Sequence, residues 1–260
     1  MEKYPDPENV FPSGVALVVG GSGGLGNAIC SKLAREGSNV AITYNKNHKG
    51  ALSAEQAVKQ IGHKSKCYCM ELTKSEEIID IVNNVANEFG AIHTMIFSVG
   101  PDIGQPFISE VSSQEWNKVM SIEPVGYFNI VKATLPHLRA SKGSIVAITS
   151  AATIRYASRD ILSAAPKASV NLLTSAIARE EGRNGIRANV VAPGFISTGL
   201  GQHLLENVIS ERERLSIERA SALRRIGTAE EVAEIVAFLA SSRASLITGQ
   251  IISADGGYTA

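Results

Sequence analysis

Cysteine is scarce in this chain, with three residues in 260 and no CxxC pair. That excludes a disulfide framework and fits a reduced compartment. Cys67 and Cys69 flank Tyr68 in an apolar stretch. They read as core residues on one face of a strand, and no metal is expected. Net charge is missing too, since Lys+Arg and Asp+Glu each number 25. That balance supplies no electrostatic footprint for nucleic acid or an anionic membrane, and neither is expected as a partner. No apolar run approaches the length of about 20 residues that spans a bilayer. The opening MEKYPDPENVFPSG lacks the apolar core of a signal peptide, so residues 1–13 read as a surface arm and the expected location is cytoplasmic. Internal repeats, low-complexity tracts and linkers are also absent, which leaves a single domain over 1–260 with ample material for a core.

What is present is concentrated in Val15 to Gly37, VALVVGGSGGLGNAICSKLAREG. Five apolar residues, Val15 to Val19, read as a strand buried on both faces. A turn with Gly20, Gly21, Gly23, Gly24 and Gly26 follows, and then Leu25, Ile29, Leu33 and Ala34 recur at helical spacing until Gly37. Strand, glycine turn and helix in that order form the phosphate cradle of a dinucleotide-binding unit. Glycines admit a pyrophosphate close to the backbone, and the helix N-terminus offers unpaired N–H groups. A plain tight turn has the same glycines. The placement between a buried strand and an amphipathic helix favours the cradle.

The rest of the chain repeats the alternation. Strands are predicted at Asn39–Tyr44, Lys66–Leu72, Ile92–Gly100, Gly143–Ser150, Gly185–Gly194 and Gly249–Gly257. Helices are predicted near Gly50–Ile61, over Ser75–Phe89, as one long element within Ser113–Arg139, near Ser163–Gly182 and over Ala229–Ala240. This rhythm predicts an α/β fold: a Rossmann-like doubly wound parallel sheet in a three-layer α/β/α arrangement. Residues 197–226 break it with a charged stretch, ISERERLSIERASALRR, which reads either as a solvated helical surface or as a substrate lid beside the ligand crevice.

Taken together these segments resemble the short-chain dehydrogenase/reductase family from about Val15 to Tyr258. The likeness is carried by VGGSGGLG (Val19–Gly26), MEL (Met70–Leu72), VVAPGFIST (Val190–Thr198) and the C-terminal block RRIGTAEEVAEIVAFLASSRASLITGQIISADGG (Arg224–Gly257). The last is similar to bacterial 3-oxoacyl-thioester reductases. The resemblance implies dinucleotide binding by Gly20, Ser22, Gly23, Gly24, Leu25, Gly26, Asn45, Lys46, Glu71, Leu72, Ser98, Gly100, Lys167, Pro193, Gly194, Ile196 and Thr198. NAD-preferring enzymes place an acid at the end of the second strand. Here Thr43, Tyr44, Asn45 and Lys46 stand there, with His48 and Lys49 beyond, so an anionic 2′-phosphate meets amide and ammonium groups and NADP(H) is the expected cofactor.

The family's active site uses a serine, a tyrosine and a lysine in a YxxxK helix, and an asparagine. Ser150 and Lys167 match. The tyrosine position, four before Lys167, is Ser163, and the asparagine position is Glu123. The usual NNAG is FSVG (Phe97–Gly100), and His93 replaces the Asp before it. A second tyrosine address, seven before Lys167, is Asp160. The nearby phenol is Tyr156, eleven before Lys167, read either as a relocated proton donor or as an aromatic on the crevice floor. Hydride arriving at a carbonyl carbon leaves charge on oxygen that a positioned acid must neutralise, so the identity of that acid is the open question.

Two functions follow from these residues. One is an NADP(H)-dependent oxidoreductase reducing a carbonyl or enoyl substrate, with an acyl thioester as a candidate and an atypical proton donor. The other is a catalytically degenerate NADP(H)-binding subunit or sensor. The resemblance also implies a homodimer or homotetramer, paired through apolar stripes on the helices around Tyr127–Leu138 and Ala164–Ala178.

Overall fold

The computed structural model describes residues 10–207 and 209–260. Its backbone alternates as the patterning predicts. It runs β1 (Val15–Val19), α1 (Gly24–Arg35), β2 (Asn39–Tyr44), α2 (His48–Ile61), β3 (Ser65–Cys69), α3 (Ser75–Phe89) and β4 (Ile92–Phe97). After β4 come α4 (Ser113–Met120), α5 (Gly126–Ser141), β5 (Ser144–Ile148), α6 (Ile161–Glu181) and β6 (Arg187–Pro193). The chain closes with α7 (Gly199–Asn207), α8 (Glu211–Ala220), α9 (Ala229–Ala240) and β7 (Ile251–Ala254). The seven strands form one sheet in the order β3-β2-β1-β4-β5-β6-β7, every pair parallel.

Continuous apolar strands require cover on both faces, and both are covered. Ala16 and Val18 of β1, with Val40, Ile42 and Ile96, pack against Ile29 and Leu33 of α1, Val58 of α2 and Val236 of α9. The alternate residues Val15, Leu17 and Val19, with Met95 and Phe97, pack against Val82 of α3, Ile130 and Leu138 of α5 and Val170 of α6. This is the expected three-layer Rossmann-like fold. Helix starts follow local chemistry: Ser112, Ser210 and Thr228 each form a capping box with the glutamate three residues on, Glu115, Glu213 and Glu231.

Several expectations are corrected. Residues 1–9 of the predicted arm lie outside the described residues, but its continuation is not a surface arm. Val10 and Phe11 are buried, Phe11 stacks on His93, and the Val10 carbonyl accepts from Ser242 N at 3.0 Å. The strand expected over 66–72 ends at Cys69, because Met70 and Leu72 turn into the core. Cys67 is half-buried and bonds the Ala51 carbonyl, whereas Cys69 is exposed, so only one of the two packs inward. The single helix expected within 113–139 is divided by a π-helical turn at Ser121–Val125, where Pro124 supplies no N–H to the ladder. The apolar residues of α5 expected at an interface serve the chain's own core: Tyr127, Ile130, Val131 and Leu138 are buried, leaving Phe128 exposed, and Leu172 on α6. No described helix is long and apolar enough to cross a membrane.

The pairing of β1 with β4 jumps from Val15 opposite Ile92 to Ala16 opposite Thr94, leaving His93 as an extra residue. Its ring lies 3.3 Å from Ser38 Oγ and 3.0 Å from Thr94 Oγ1, and burial pushes its pKa down to about 4. The unfolded chain takes up this proton near the usual 6.5, so between those values the unfolded state binds more protons and stability falls as pH falls. At about pH 5 the loss amounts to about 2 kcal/mol. Urea unfolding at about pH 7 and about pH 5 tests this. His93→Gln should lose about 2 kcal/mol less than the wild type between the two, and equal losses would mean that the ring is charged in the fold.

Candidate active site

All strands end on one side of the sheet, and the order reverses between β1 and β4, so the loops that follow them part to leave a crevice. Its volume is about 1230 Å³. The glycine turn forms one wall. Gly20 has a φ of +82°, and a Cβ there would strike the Ser98 carbonyl. At Gly26 a Cβ would collide with the Gly20 carbonyl and the Cα of Gly21, and at Gly24 with Thr198 Oγ1. The backbone after β1 is thus pressed against the loops after β4 and β6. Gly23, the N-cap of α1, has no side chain to satisfy the first amides of that helix, which border the crevice.

The crevice gathers most of the residues singled out by sequence. Gly23, Gly24, Leu25, Gly26, Ser98, Gly100, Pro193, Gly194, Ile196 and Thr198 line it, as do Ser150, Tyr156, Ser163 and Lys167. Six others are set elsewhere. Gly20 opens the turn, its carbonyl accepting from Gly23 N at 3.3 Å, and Ser22 borders a smaller neighbouring cavity while its carbonyl accepts from Asn47 Nδ2 at 2.8 Å. Lys46 is exposed. Asn45 donates to Glu71 Oε2 at 2.8 Å, so these two expected cofactor residues meet each other. Leu72 is buried against Gly126. The 197–226 segment forms the helical pair α7–α8, and Ile209, Ile217, Ala220 and Leu223 line the crevice. Its ends are tied down, by the pairing of Ile196 with Gly227 and by the bond from Leu223 N to the Gly256 carbonyl.

The centre of the site differs from the sequence expectation in one decisive contact. Lys167 Nζ donates to both carboxylate oxygens of Glu123, at 2.8 and 2.7 Å. Glu123 is 1% exposed, and burial raises its carboxyl pKa while the ammonium of Lys167 opposes the rise. Spacing alone carried no sign of this pairing, because the partners are 44 residues apart and Glu123 is presented by the π-helical turn. Ser150 follows β5, and its Oγ accepts from Ala152 N at 3.1 Å. Ser163 is buried one turn before Lys167 on α6, and Tyr156 is 53% exposed. Thr149 Oγ1 is buried on the crevice wall with no hydrogen-bond partner among the described residues.

A family model described as enoyl-(acyl carrier protein) reductase matches residues 19–259. The chain belongs to the short-chain dehydrogenase/reductase family. Among its relatives is the 3-oxoacyl-acyl-carrier-protein reductase FabG of Chlamydia muridarum, 31% identical over 243 residues, covering 93% of this chain and 96% of that protein. A tropinone reductase homolog of Arabidopsis thaliana is 35% identical over 248 residues, covering 94% and 91%. A double mutant of a Serratia marcescens short-chain dehydrogenase/reductase superposes with a TM-score of 0.88 at 27% identity, covering 97% of this chain and all of that one.

Membership of the short-chain dehydrogenase/reductase family implies an NAD(P)(H) cofactor, and the crevice fits one. The turn has no room for a Cβ at Gly24 or Gly26, α1 offers uncapped amides there, and the unpartnered Thr149 hydroxyl supplies a polar anchor on the wall.

Glu123 and Lys167 stand or fall together. Glu123→Ala should destabilise the protein by about 3–5 kcal/mol, because it leaves a mostly buried ammonium without its counter-charge. The double variant Glu123→Leu/Lys167→Met should recover most of that loss. Urea denaturation reads both values, and a single-variant loss below about 1 kcal/mol would mean that water replaces the carboxylate.

Proposed function

We propose that this protein is an NADP(H)-dependent oxidoreductase that reduces a carbonyl or enoyl group, with an acyl thioester as the favoured substrate class, and that it does so without the family's usual phenol. The observation that carries this reading is the convergence in one crevice of the glycine turn after β1, Ser150 after β5 and Lys167 on α6. The names of the matched family model and of the Chlamydia relative support an acyl-thioester class. When bound, the reduced nicotinamide supplies a hydride. The chain's own residues would then manage the charge that appears on the substrate oxygen. The hydroxyl of Ser150 is available to donate to it, and the paired Lys167 contributes a cation whose field is largely cancelled by Glu123.

The preference for the 2′-phosphorylated cofactor is supported by the end of β2, where Asn45 and Lys46 are exposed and no acid stands in the strand. Glu71 accepts from Asn45, which leaves Lys46 as the freer contact for a phosphate. The α7–α8 pair over the crevice serves as a substrate lid in this reading. A homo-oligomer is proposed on the family resemblance, and the exposed Phe128 and Leu172 are apolar residues available to an interface.

A second reading, a nucleotide-binding subunit or sensor without hydride transfer, is favoured by one observation. Both hydrogen bonds recorded for the ammonium of Lys167 go to Glu123, so a ribose hydroxyl would have to compete for it.

Fluorescence titration and a turnover screen on 3-oxoacyl and enoyl thioesters separate the two. NADPH should bind at least about tenfold more tightly than NADH, and Gly26→Val should abolish binding of both because its side chain overlaps the turn backbone. Wild-type binding by Gly26→Val would overturn the cradle. Tight NADPH binding with no turnover on any carbonyl or enoyl thioester would favour the sensor.

A further inference from the structure

Helix α6 presents three chemically active side chains to the crevice at positions i, i+3 and i+7: Asp160, Ser163 and Lys167. In the sequence Ser163 and Lys167 are candidate catalytic residues, and Asp160 occupies the second tyrosine address. Asp160 is the N-cap residue of α6, yet its carboxylate makes no capping bond, and no hydrogen bond to it is found among the described residues. Its backbone is held firmly instead. Its N–H donates to the Ala157 carbonyl at 3.2 Å, and its own carbonyl accepts from Ser163 N and Ala164 N. The preceding residue, Arg159, has a φ of 70°, a left-handed conformation that is strained for a non-glycine residue. That conformation is held by the Arg159 guanidinium, which donates to the Gln105 carbonyl at 2.7 Å and lies over the Phe107 ring at 5.0 Å. The chain thus clamps the backbone around a carboxyl group while leaving the carboxyl group itself without a partner among the described residues.

From this placement we infer that Asp160 is the acid that delivers the proton to the substrate during reduction. The inference rests on the oxidoreductase reading above. The step balances simply. As hydride from the reduced nicotinamide adds to the electrophilic carbon, the π pair moves onto oxygen. The O–H bond of the Asp160 carboxylic acid breaks, and its proton goes to that oxygen. The carboxylate left behind is reprotonated from solvent at the open mouth of the crevice.

An acid must hold its proton to serve, and the surroundings extend the pH range over which it does so well above that of an ordinary aspartate. A helix N-terminus ordinarily favours the ionised carboxylate. Burial acts the other way and raises the Asp160 pKa to about 6, with Lys167 pulling it down and Glu123 pushing it up. Because Glu123 binds Lys167 through both oxygens, its negative charge opposes the lysine's pull on Asp160. The other charged groups lining the crevice are engaged nearby: Arg155 with the Tyr258 carbonyl and ring, Arg225 with Glu231, and Asp255 with Gly257 N and Thr259. The family position of Glu123 thereby gains a purpose, as a positioning residue that shields the acid from Lys167.

The test uses the whole 260-residue chain with NADPH and the best thioester from the screen. Wild-type kcat/KM should fall as pH rises through about 6, because the acid form is needed. Asp160→Asn should lower kcat/KM by at least about 100-fold and remove that limb, while NADPH affinity stays within about twofold. Asp160→Glu should restore part of the rate. Glu123→Gln should shift the limb to lower pH, since Lys167 then acts unshielded. Independently of turnover, infrared difference spectra between about pH 5 and about pH 7.5 should show a carboxylic-acid carbonyl band that is missing in Asp160→Asn. A variant that keeps the wild-type rate and pH profile, or spectra in which Asp160→Asn loses no band, would overturn the proposal. So would loss of the limb in Tyr156→Phe together with its retention in Asp160→Asn. A wild type that binds NADPH but reduces nothing would overturn the oxidoreductase reading itself, and this role for Asp160 with it.

Discussion

A parallel sheet of continuous apolar strands is stable only if both of its faces are hidden, and this requirement organises the molecule. Each strand must return to the same edge through a helix, so helices cover both faces, α1, α2 and α9 on one and α3, α5 and α6 on the other, and all the strand-to-helix loops collect at one end. The crevice is a consequence of that bookkeeping. Ser98 follows β4, Ser150 follows β5 and Pro193 ends β6, and none of them needs any other device to be brought near the glycine turn after β1. The opposite end is free to do structural tasks, such as sealing His93 beneath Phe11.

Within the crevice the dominant fact is electrostatic. A lysine and a glutamate, both poorly hydrated, are committed to each other by two short hydrogen bonds. Buried pairs of this kind add little net stability, since desolvation offsets much of the attraction. What they do is fix where charge stands and cancel it at a distance. A neighbouring carboxyl such as Asp160 therefore feels a dipole in place of a full positive charge, and burial decides its protonation.

The fold was legible because its signals are local and periodic. The run Val15–Val19, the glycines after it and the helical stripe of Ile29 and Leu33 each point to one structure, and the helix predicted over Ala229–Ala240 coincides with α9. Much of the crevice was legible too, since glycine turns and the Pro193–Thr198 segment are contiguous in sequence. The parts that were not legible depend on distant partners. Nothing local says that Glu123 meets Lys167, that Asn45 donates to Glu71, or that Val10 and Phe11 leave the surface to close the core. The break between α4 and α5 was missed because Val119, Tyr127 and Ile130 sustain an apolar pattern on both sides of it.

That break has a geometric meaning of its own. One extra residue in a helix rotates everything beyond it by roughly 100° relative to what precedes it. The turn at Ser121–Val125 therefore acts as a phase shifter between two segments that each keep their own buried stripe, Val119 on one side and Tyr127, Ile130, Thr134 and Leu138 on the other. Glu123 stands within the shifted register. Removing one residue from that turn would rotate its carboxylate away from Lys167, so the electrostatics of the crevice are encoded in chain length as well as in residue type.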